Sequence, residues 1–567
     1  MQGMNDSERH EYVFTLFWLV LIAFVVIFAG IGLRDPWPAD EPRFVEVARE
    51  MVASGNWFFP MRGGELYPDK PPVFMWSMAL LYRLTDNLSW TFLIPNAVAA
   101  LITLLCVYDL GARLWNVTTG RNAALLLLIA PQFLIQAKTA QIDAMVACWI
   151  TLGMYGLLRY FFLRGSLGWY LLAWVFMALG IITKGVGFLP LLVFIPLLVL
   201  HFTGRQSFSD QWDRKLWFGP LAMLAVLLCW LLPVIYFSYT SHNPDFAAYR
   251  DNILFKQTAE RYANSWGHIK PWYYFAVSVI PVFWFPLYLL IARKGALLSM
   301  WRSPLAVTLA SWVILVVVFF SLSPGKRGLY ILPALPMLAL LVGAYSTPDK
   351  LARWLQGLLA GLAALLSVAA IVVAVAALIQ LDAVVEQVGP RTWPFALMFF
   401  ALAAIWGLVV WYKRFAVDLR SYSLALLATW LLYSLVGYSL LNPVRTPAKA
   451  VMQQVVDNIE PGAEVGITRF KEQFLLFSPI ALTHFSYLTS SQQQDRNAWL
   501  WMKEQPGRYI LTQNDQDLTC FDASQSIDLG EAHRRHWILL GQDSLLETCP
   551  KPERVVRYHQ PFRSVYR

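Results

Sequence analysis

Residues 13–33, VFTLFWLVLIAFVVIFAGIGL, carry no charge, and the chain then turns to Asp40-Glu41-Pro42-Arg43. The run is long enough to cross a bilayer as one helix. No second span follows at once. Residues 34–90 form a polar, aromatic loop that includes Tyr67-Pro68-Asp69-Lys70-Pro71-Pro72. A chain that inserts and then gathers acids, bases and aromatics in its first loop is built for chemistry at a membrane surface. Composition agrees: 57% of the 567 residues are hydrophobic and 14% charged, against roughly 25% charged in soluble domains. The 25 Trp, 24 Tyr and 36 Phe suit aromatic belts at two interfaces. The net charge of +9 is spread over short loops, which argues for membrane lipids and against nucleic acid as the partner. The first run is too long, and lacks the small-residue cleavage site, to be a removed signal, so a retained helix is expected.

Thirteen candidate spans follow from hydropathy, near 13–33, 91–110, 121–136, 143–163, 168–183, 186–202, 216–238, 272–292, 304–322, 329–345, 354–380, 394–411 and 421–441. The apolar piece 73–84 is too short to span and reads as an interfacial helix. With the N-terminus in the cytoplasm, the inner loops carry Arg113, Arg121, Arg159, Arg164, Arg205, Arg293, Lys350, Lys413 and Arg420, a positive-inside pattern. An odd number of spans places everything after 441 outside. The fold class expected is thus a polytopic α-helical membrane protein with a small C-terminal soluble α/β domain. The membrane part covers 1–444, with outer loops at 34–90 and 240–271, and the outer domain covers 445–567. There, strand-like pieces 508–512 and 537–540 alternate with helical patterns such as 448–459. Cys520 and Cys549 lie in that domain as a disulfide or two thiols, and an oxidising compartment favours the bond. Cys106, Cys148 and Cys229 fall in spans as packing residues. Gly357 and Gly361 form a GxxxG that reads as close helix packing.

The candidate chemical residues all fall on the outer side. Asp40 can face a reacting group, cap the helical stretch that starts at Pro42, or do both. Glu41, its neighbour, cannot share that helix face and has a different job, on the reaction, a metal or the loop. Asp143 heads the fourth span beside Lys138, as an ion pair at a helix start or as a second carboxylate for Asp40. Lys138, Lys184, Lys326 and Arg327 break the positive-inside rule, as do Arg43 and Lys70. Snorkelling to headgroups explains any one of them; an anionic ligand explains the group. Asp69-Lys70-Pro71-Pro72 is a rigid turn that aims Lys70 at a phosphate or simply stiffens a junction. His268, in the loop that also holds Arg261, is either solvated or, with Asp69, part of an O/N site for a divalent metal such as Zn or Mg. Ser323-Pro324-Gly325-Lys326-Arg327-Gly328 lacks the P-loop pattern, yet its amides and cations suit a lipid phosphate, with Tyr330 close along the chain.

Asp-Glu-Pro-Arg in the first loop, Tyr-x-Asp-Lys-Pro-Pro at its close, Asp143 at the fourth span and Lys326 with Tyr330-Ile-Leu-Pro resemble the GT-C glycosyltransferases. The resemblance is strongest to the branch that moves 4-amino-4-deoxy-L-arabinose from undecaprenyl phosphate to lipid A; protein O-mannosyltransferases are more distant. It implies an inner-membrane enzyme using an undecaprenyl-phosphate-linked sugar donor and lipid A or a related envelope acceptor. It also implies Asp40 as the essential carboxylate with Asp143 its partner, and Arg43, Lys70, Lys326 and Tyr330 on the donor phosphate; Arg261 and Arg327, on the same outer side, are further candidates for that phosphate. Asp69 and His268 become the implied metal positions, Asp69 standing where the family commonly carries Glu. Inversion by single displacement needs no enzyme nucleophile, which suits a chain without a Ser-His-Asp or Cys-His arrangement. A lipid-linked sugar flippase would instead need charges deep in the spans.

Overall fold

The computed structural model describes residues 5–254, 268–291, 294–346, 351–390, 392–514 and 518–561. The chain forms two compact units, one of Met1–Ile31, Pro68–Phe74 and Leu93–Gly437, the other of Gly32–Tyr67, Met75–Phe92 and Tyr438–Arg567. This division differs from a cut at residue 444, because most of the first loop packs with the C-terminal segment.

The first unit is a helical membrane bundle. Among the described residues, ten helices are long and apolar enough to cross a membrane. Helix α1 (Asp6–Phe28) starts at a capping box, in which the Asn5 side chain accepts from Glu8 N and Glu8 accepts from Asn5 N. Helices α2 (Ile94–Leu114), α3 (Val117–Ile129), α4 (Ile142–Phe161) and α5 (Leu167–Lys184) follow. Their order of burial tells which are central. In the most apolar windows of Leu88–Leu114 and Ile142–Phe161, 67% and 72% of residues are buried, against 17% for Arg214–Thr240, which faces outward.

Three expected spans differ from a single long α-helix, and prolines break two of them. The span 121–136 breaks at Ala130, which takes an extended ψ of 120° before Pro131, as the residue ahead of a proline must. The span 186–202 is a tight turn over Leu189–Val193 followed by Phe194–Phe202. The span 272–292 is split into Phe275–Val279, Ile280–Phe283 and Leu287–Ile291, around Pro281 and Pro286. The interfacial piece is a helix over Val73–Thr85. The Gly357/Gly361 expectation is corrected: a Cβ at either glycine would meet nothing within 4 Å. Close packing occurs instead between α2 and α3, where a Cβ on Gly111 would lie 2.6 Å from the Gly120 Cα.

The second unit is built on sheet. A short hairpin, β1 (Met61–Arg62) and β2 (Glu65–Leu66), turns at Gly63-Gly64, both with positive φ. The main sheet holds β3 (Val465–Ile467), β4 (Leu482–His484), β5 (Tyr509–Gln513), β6 (Ser526–Ala532), β7 (Arg535–Leu540) and β8 (Tyr558–Gln560) in the order β6-β7-β5-β3-β4-β8. Strand β3 runs parallel to β4 and β5; the other pairings are antiparallel. In β7, Trp537 and Leu539 enter one core cluster and Ile538 and Leu540 the other. Side chains alternate along a strand, so burial on both faces makes the run continuously apolar. Cys520 and Cys549 form a disulfide, with Cα atoms 5.3 Å apart; Cys106 and Cys148 are buried thiols and Cys229 an exposed one.

Candidate functional site

The first loop sits in a dense polar frame within the second unit. Arg34 grips Glu41 with two hydrogen bonds, Nη1 to Oε2 at 2.5 Å and Nη2 to Oε1 at 2.7 Å. The backbone N of Trp37 donates to Glu41 Oε2 at 2.8 Å, and the guanidinium packs on the rings of Trp37, Phe92 and Tyr438. Arg34 and Glu41 are only 3% and 4% exposed. A carboxylate with both oxygens occupied in a dry site is a clamp on the loop, and Glu41 holds that place here. Asp35 is tied in turn to Asn442 Nδ2 at 2.7 Å and to Lys449 Nζ at 2.6 Å.

Asp40 is different. It stands at the N-cap of the helix Glu41–Ser54, with Pro42 in the first turn, yet its side chain makes no cap hydrogen bond. It is half-buried. The helix cap that the sequence allows for Asp40 is thus not made by its side chain. Arg43, one turn on, lies 3.3 Å from Glu472 Oε1, which Arg62 Nη2 also reaches at 2.8 Å. Arg43 is also close to Tyr67 and Asp40 in charge terms.

The hairpin is held by the C-terminal strands. His484 Nε2 is 2.5 Å from Gly63 O, Glu65 accepts from Ser486 Oγ and from Tyr487 N, and Gly64 N donates to Glu50 Oε2 at 2.8 Å. Burial pushes the His484 imidazole down to about 4. Beneath it, Arg49 grips Glu46 with two bonds of 2.9 and 2.6 Å. Burial and the neighbouring Glu46 charge hold Glu50 well above the usual carboxylate range, while Arg49, against the cost of burial, holds Glu46 below it.

The remaining candidates belong to the first unit. Asp143 lies in the first turn of α4 and pairs with Lys184, the last residue of α5. The Lys184 ammonium also sits 4.7 Å above the Tyr330 ring. The pair is partly open, with side-chain exposures of 15% and 18%. Lys138 donates to Ile27 O at 3.2 Å and Ala29 O at 2.9 Å, closing the end of α1. Lys326 is 4% exposed and donates to Lys270 O and Ser323 O. Its backbone N donates to His268 O at 3.0 Å, so the turn 323–328 is bridged to 268–270. Arg327 is exposed and places Nη2 2.7 Å from His268 Nε2. Lys70 is half-buried and Asp69 exposed in the turn 68–70. Arg261 lies outside the described residues.

A metal at Asp69 and His268 does not fit this arrangement. The His268 ring nitrogen faces a guanidinium, a positive group where a cation's ligand shell would be, and among the described residues no three His, Cys, Asp or Glu side chains cluster to hold an ion. Sequence reasoning did not pair Lys184 with Asp143, nor find the Arg34 and Glu472 anchors. Arg34 reads as the edge of a span, and Glu472 is more than four hundred residues from Arg43, beyond any local spacing.

A multi-span helical bundle in a chain with a charged first loop belongs to a membrane glycosyltransferase of the GT-C type. The chain belongs to the family of undecaprenyl phosphate-α-4-amino-4-deoxy-L-arabinose arabinosyl transferases. It is 31% identical over 451 residues to the member from Pseudomonas paraeruginosa, covering 75% of this chain and 76% of the relative. It is 30% identical over 343 residues to the Yersinia enterocolitica member, covering 58% of each. Residues 69–237 match the dolichyl-phosphate-mannose-protein mannosyltransferase family. The fold is that of ArnT from Cupriavidus metallidurans in its undecaprenyl phosphate complex, with a TM-score of 0.67 and 22% identity, over 94% of this chain and 99% of that one.

Proposed function

We propose that this protein transfers 4-amino-4-deoxy-L-arabinose from undecaprenyl phosphate to lipid A at the periplasmic face of the bacterial inner membrane. We infer thirteen crossings, with the N-terminus in the cytoplasm and the C-terminal α/β domain in the periplasm; the positive-inside pattern of the inner loops supports this orientation. The acceptor oxygen attacks the anomeric carbon, the bond from that carbon to the phosphate oxygen breaks, and undecaprenyl phosphate leaves with inverted stereochemistry at the sugar.

The reading is carried by the contrast between two adjacent carboxylates. Glu41 is clamped on both oxygens, whereas Asp40 stands at a helix head without capping it. A lipid A phosphate is already ionised near neutral pH, with a second pKa of about 6, so Asp40 orients the acceptor or holds the sugar ammonium; with a hydroxyl acceptor it serves as base. Asp143 positions Lys184 beside Tyr330, and Lys70 and Arg327 supply charge to the leaving phosphate. Lys326, with two N–H groups given to carbonyls, holds the turn that presents Arg327. Undecaprenyl phosphate, the phosphate monoester released from the donor phosphodiester, is a good leaving group, so positioning supplies much of the remaining acceleration.

The test is the lipid A mass spectrum of a host without its own transferase, supplied with donor and with wild-type protein or Asp40→Asn. One aminopentose added per site by wild type, and none by a variant of unchanged melting temperature, is the expected result. No addition by inserted wild type removes lipid A as the acceptor.

A further inference from the structure

At the opposite end of α4 from Asp143 lies a second polar feature that the transfer reaction does not use. Arg159 is sixteen residues beyond Asp143 on the same helix, which puts it roughly 24 Å away. A cavity of about 690 Å³ opens there, among the first turns of α1, the end of α2, the start of α3 and the end of α4. Its volume falls in the range of small-ligand pockets, roughly 300–1,000 Å³.

The lining is divided by charge. On one side stand Glu8 and Glu11 of α1, both exposed. On the other stand Arg113, Arg159 and Arg164. Arg113 is held from behind by Asp109, at 2.8 and 2.7 Å from its Nε. Arg159 is laid flat on the Trp169 ring at 4.1 Å and braced by Tyr155, its Nη1 donating to Oη at 2.7 Å. Its buried Nε has no hydrogen-bond partner. That atom has almost no accessible surface, so it is the rest of the guanidinium, on a side chain 17% exposed, that borders the cavity. Arg164 is 79% exposed and, among the described residues, pairs with Asp210 at 3.8 Å, a surface pair worth little. Two braced cations, Arg113 and Arg159, and the exposed Arg164, set against two acids, match a ligand that carries a phosphate and an amine together.

We infer that this cavity binds the headgroup of a zwitterionic phospholipid of the phosphatidylethanolamine class, with the phosphate on Arg159 and Arg164 and the ammonium on Glu8 and Glu11. The lipid source follows from position. The walls are the ends of apolar helices long enough to span a bilayer, where headgroups lie, and Trp169 is the residue type favoured at that depth. An anionic headgroup would satisfy the arginines and be repelled by the two glutamates. The inference is independent of the sugar and acceptor assigned above.

Native mass spectrometry of the full purified chain tests it, with dioctanoylphosphatidylethanolamine, dioctanoylphosphatidylglycerol and free phosphoethanolamine as probes. Wild type is expected to retain the ethanolamine lipid at least about fivefold better than the glycerol lipid, a modest difference in binding energy. Arg164→Gln, at an exposed position that the fold does not need, is expected to lower retention of both lipids by about threefold, and Arg159→Gln by about tenfold. Glu8→Gln with Glu11→Gln is expected to erase the preference while leaving the glycerol lipid bound. Equal retention of the two lipids by wild type, a preference that survives the double glutamine variant, or no loss in Arg164→Gln overturns the proposal. Free phosphoethanolamine competing as well as the lipid overturns the lipid source.

Discussion

Three acids of the second unit and Asp143 of the membrane unit handle charge in opposite ways. In the second unit, carboxylates are buried and gripped on both oxygens: Glu41 by Arg34, Glu46 by Arg49 and Asp495 by Arg469. In the membrane unit, Asp143 meets Lys184 through one oxygen at a partly open helix end. A two-toothed buried pair fixes geometry because breaking it strands a charge. A one-toothed pair at a boundary can exchange its partner for a ligand group at little cost. The acids that shape this protein are thus distinguishable from the acids that can act by how many of their lone pairs are already committed.

Breaking the clamp gives the largest effect on stability. Glu41→Gln leaves Arg34 buried and half-paired, at a cost of about 3–5 kcal/mol, read as a lower denaturation midpoint, whereas Asp40→Asn leaves that midpoint within about 0.5 kcal/mol. Equal losses in the two variants would erase the distinction.

Acid sharpens the same contrast. The His484 imidazole ionises near 6.5 when unfolded and at about 4 when folded. Its folded value is depressed, so its contribution is complete above 6.5 and is lost as pH falls towards 4. That amounts to about 3 kcal/mol; Glu50, held above its ordinary value, opposes it in the same window, so the His484 part is read as the difference in melting temperature between wild type and His484→Gln. Glu46 adds to the loss below its ordinary value. His484→Gln flattens the upper part of the curve; an unchanged curve would show that the imidazole is not the group responsible.

Asp143→Asn tests the other half of the comparison. It costs about 1 kcal/mol of stability, as partly exposed pairs do, while transfer in the lipid A assay falls about tenfold or more. A loss of folding as large as that of Glu41→Gln would make Asp143 another clamp. Gly357→Ala, in open space on a helix that gains from alanine, is the smallest change, neutral or stabilising by up to about 1 kcal/mol in a melting experiment.

What was legible in the sequence follows the range of the forces involved. Apolar runs such as 13–33 and 304–322 announce helices because the bilayer requires about twenty apolar residues and little else. Runs such as 121–136 mislead, since hydropathy ignores the break that Pro131 imposes at Ala130. The strand Tyr509–Gln513 and the helix Ala448–Asp457 match the pieces read at 508–512 and 448–459, because alternation and helical spacing are local. The packing of the first loop with residues 442–560 was not legible, as partners such as Glu65 and Ser486 have no spacing to betray them. At the candidate site, the residue types in the first loop could be read directly. The division of labour between Asp40 and Glu41 could not, because it depends on Arg34 reaching back to one of them.

The hairpin Met61–Leu66 and its partners also set a clock. Glu65 and the hydroxyl of Ser486 are 421 residues apart in the chain. At about 5–20 residues per second of synthesis, the first loop waits roughly 20–80 s for the strands that complete it. During that interval Arg34 and Glu41 can pair locally, but Glu65 and Gly63 have only water or a helper protein to satisfy them. Biogenesis therefore passes through a half-built state whose exposed loop is the natural target of quality control, and a truncation anywhere before residue 480 leaves that state permanent.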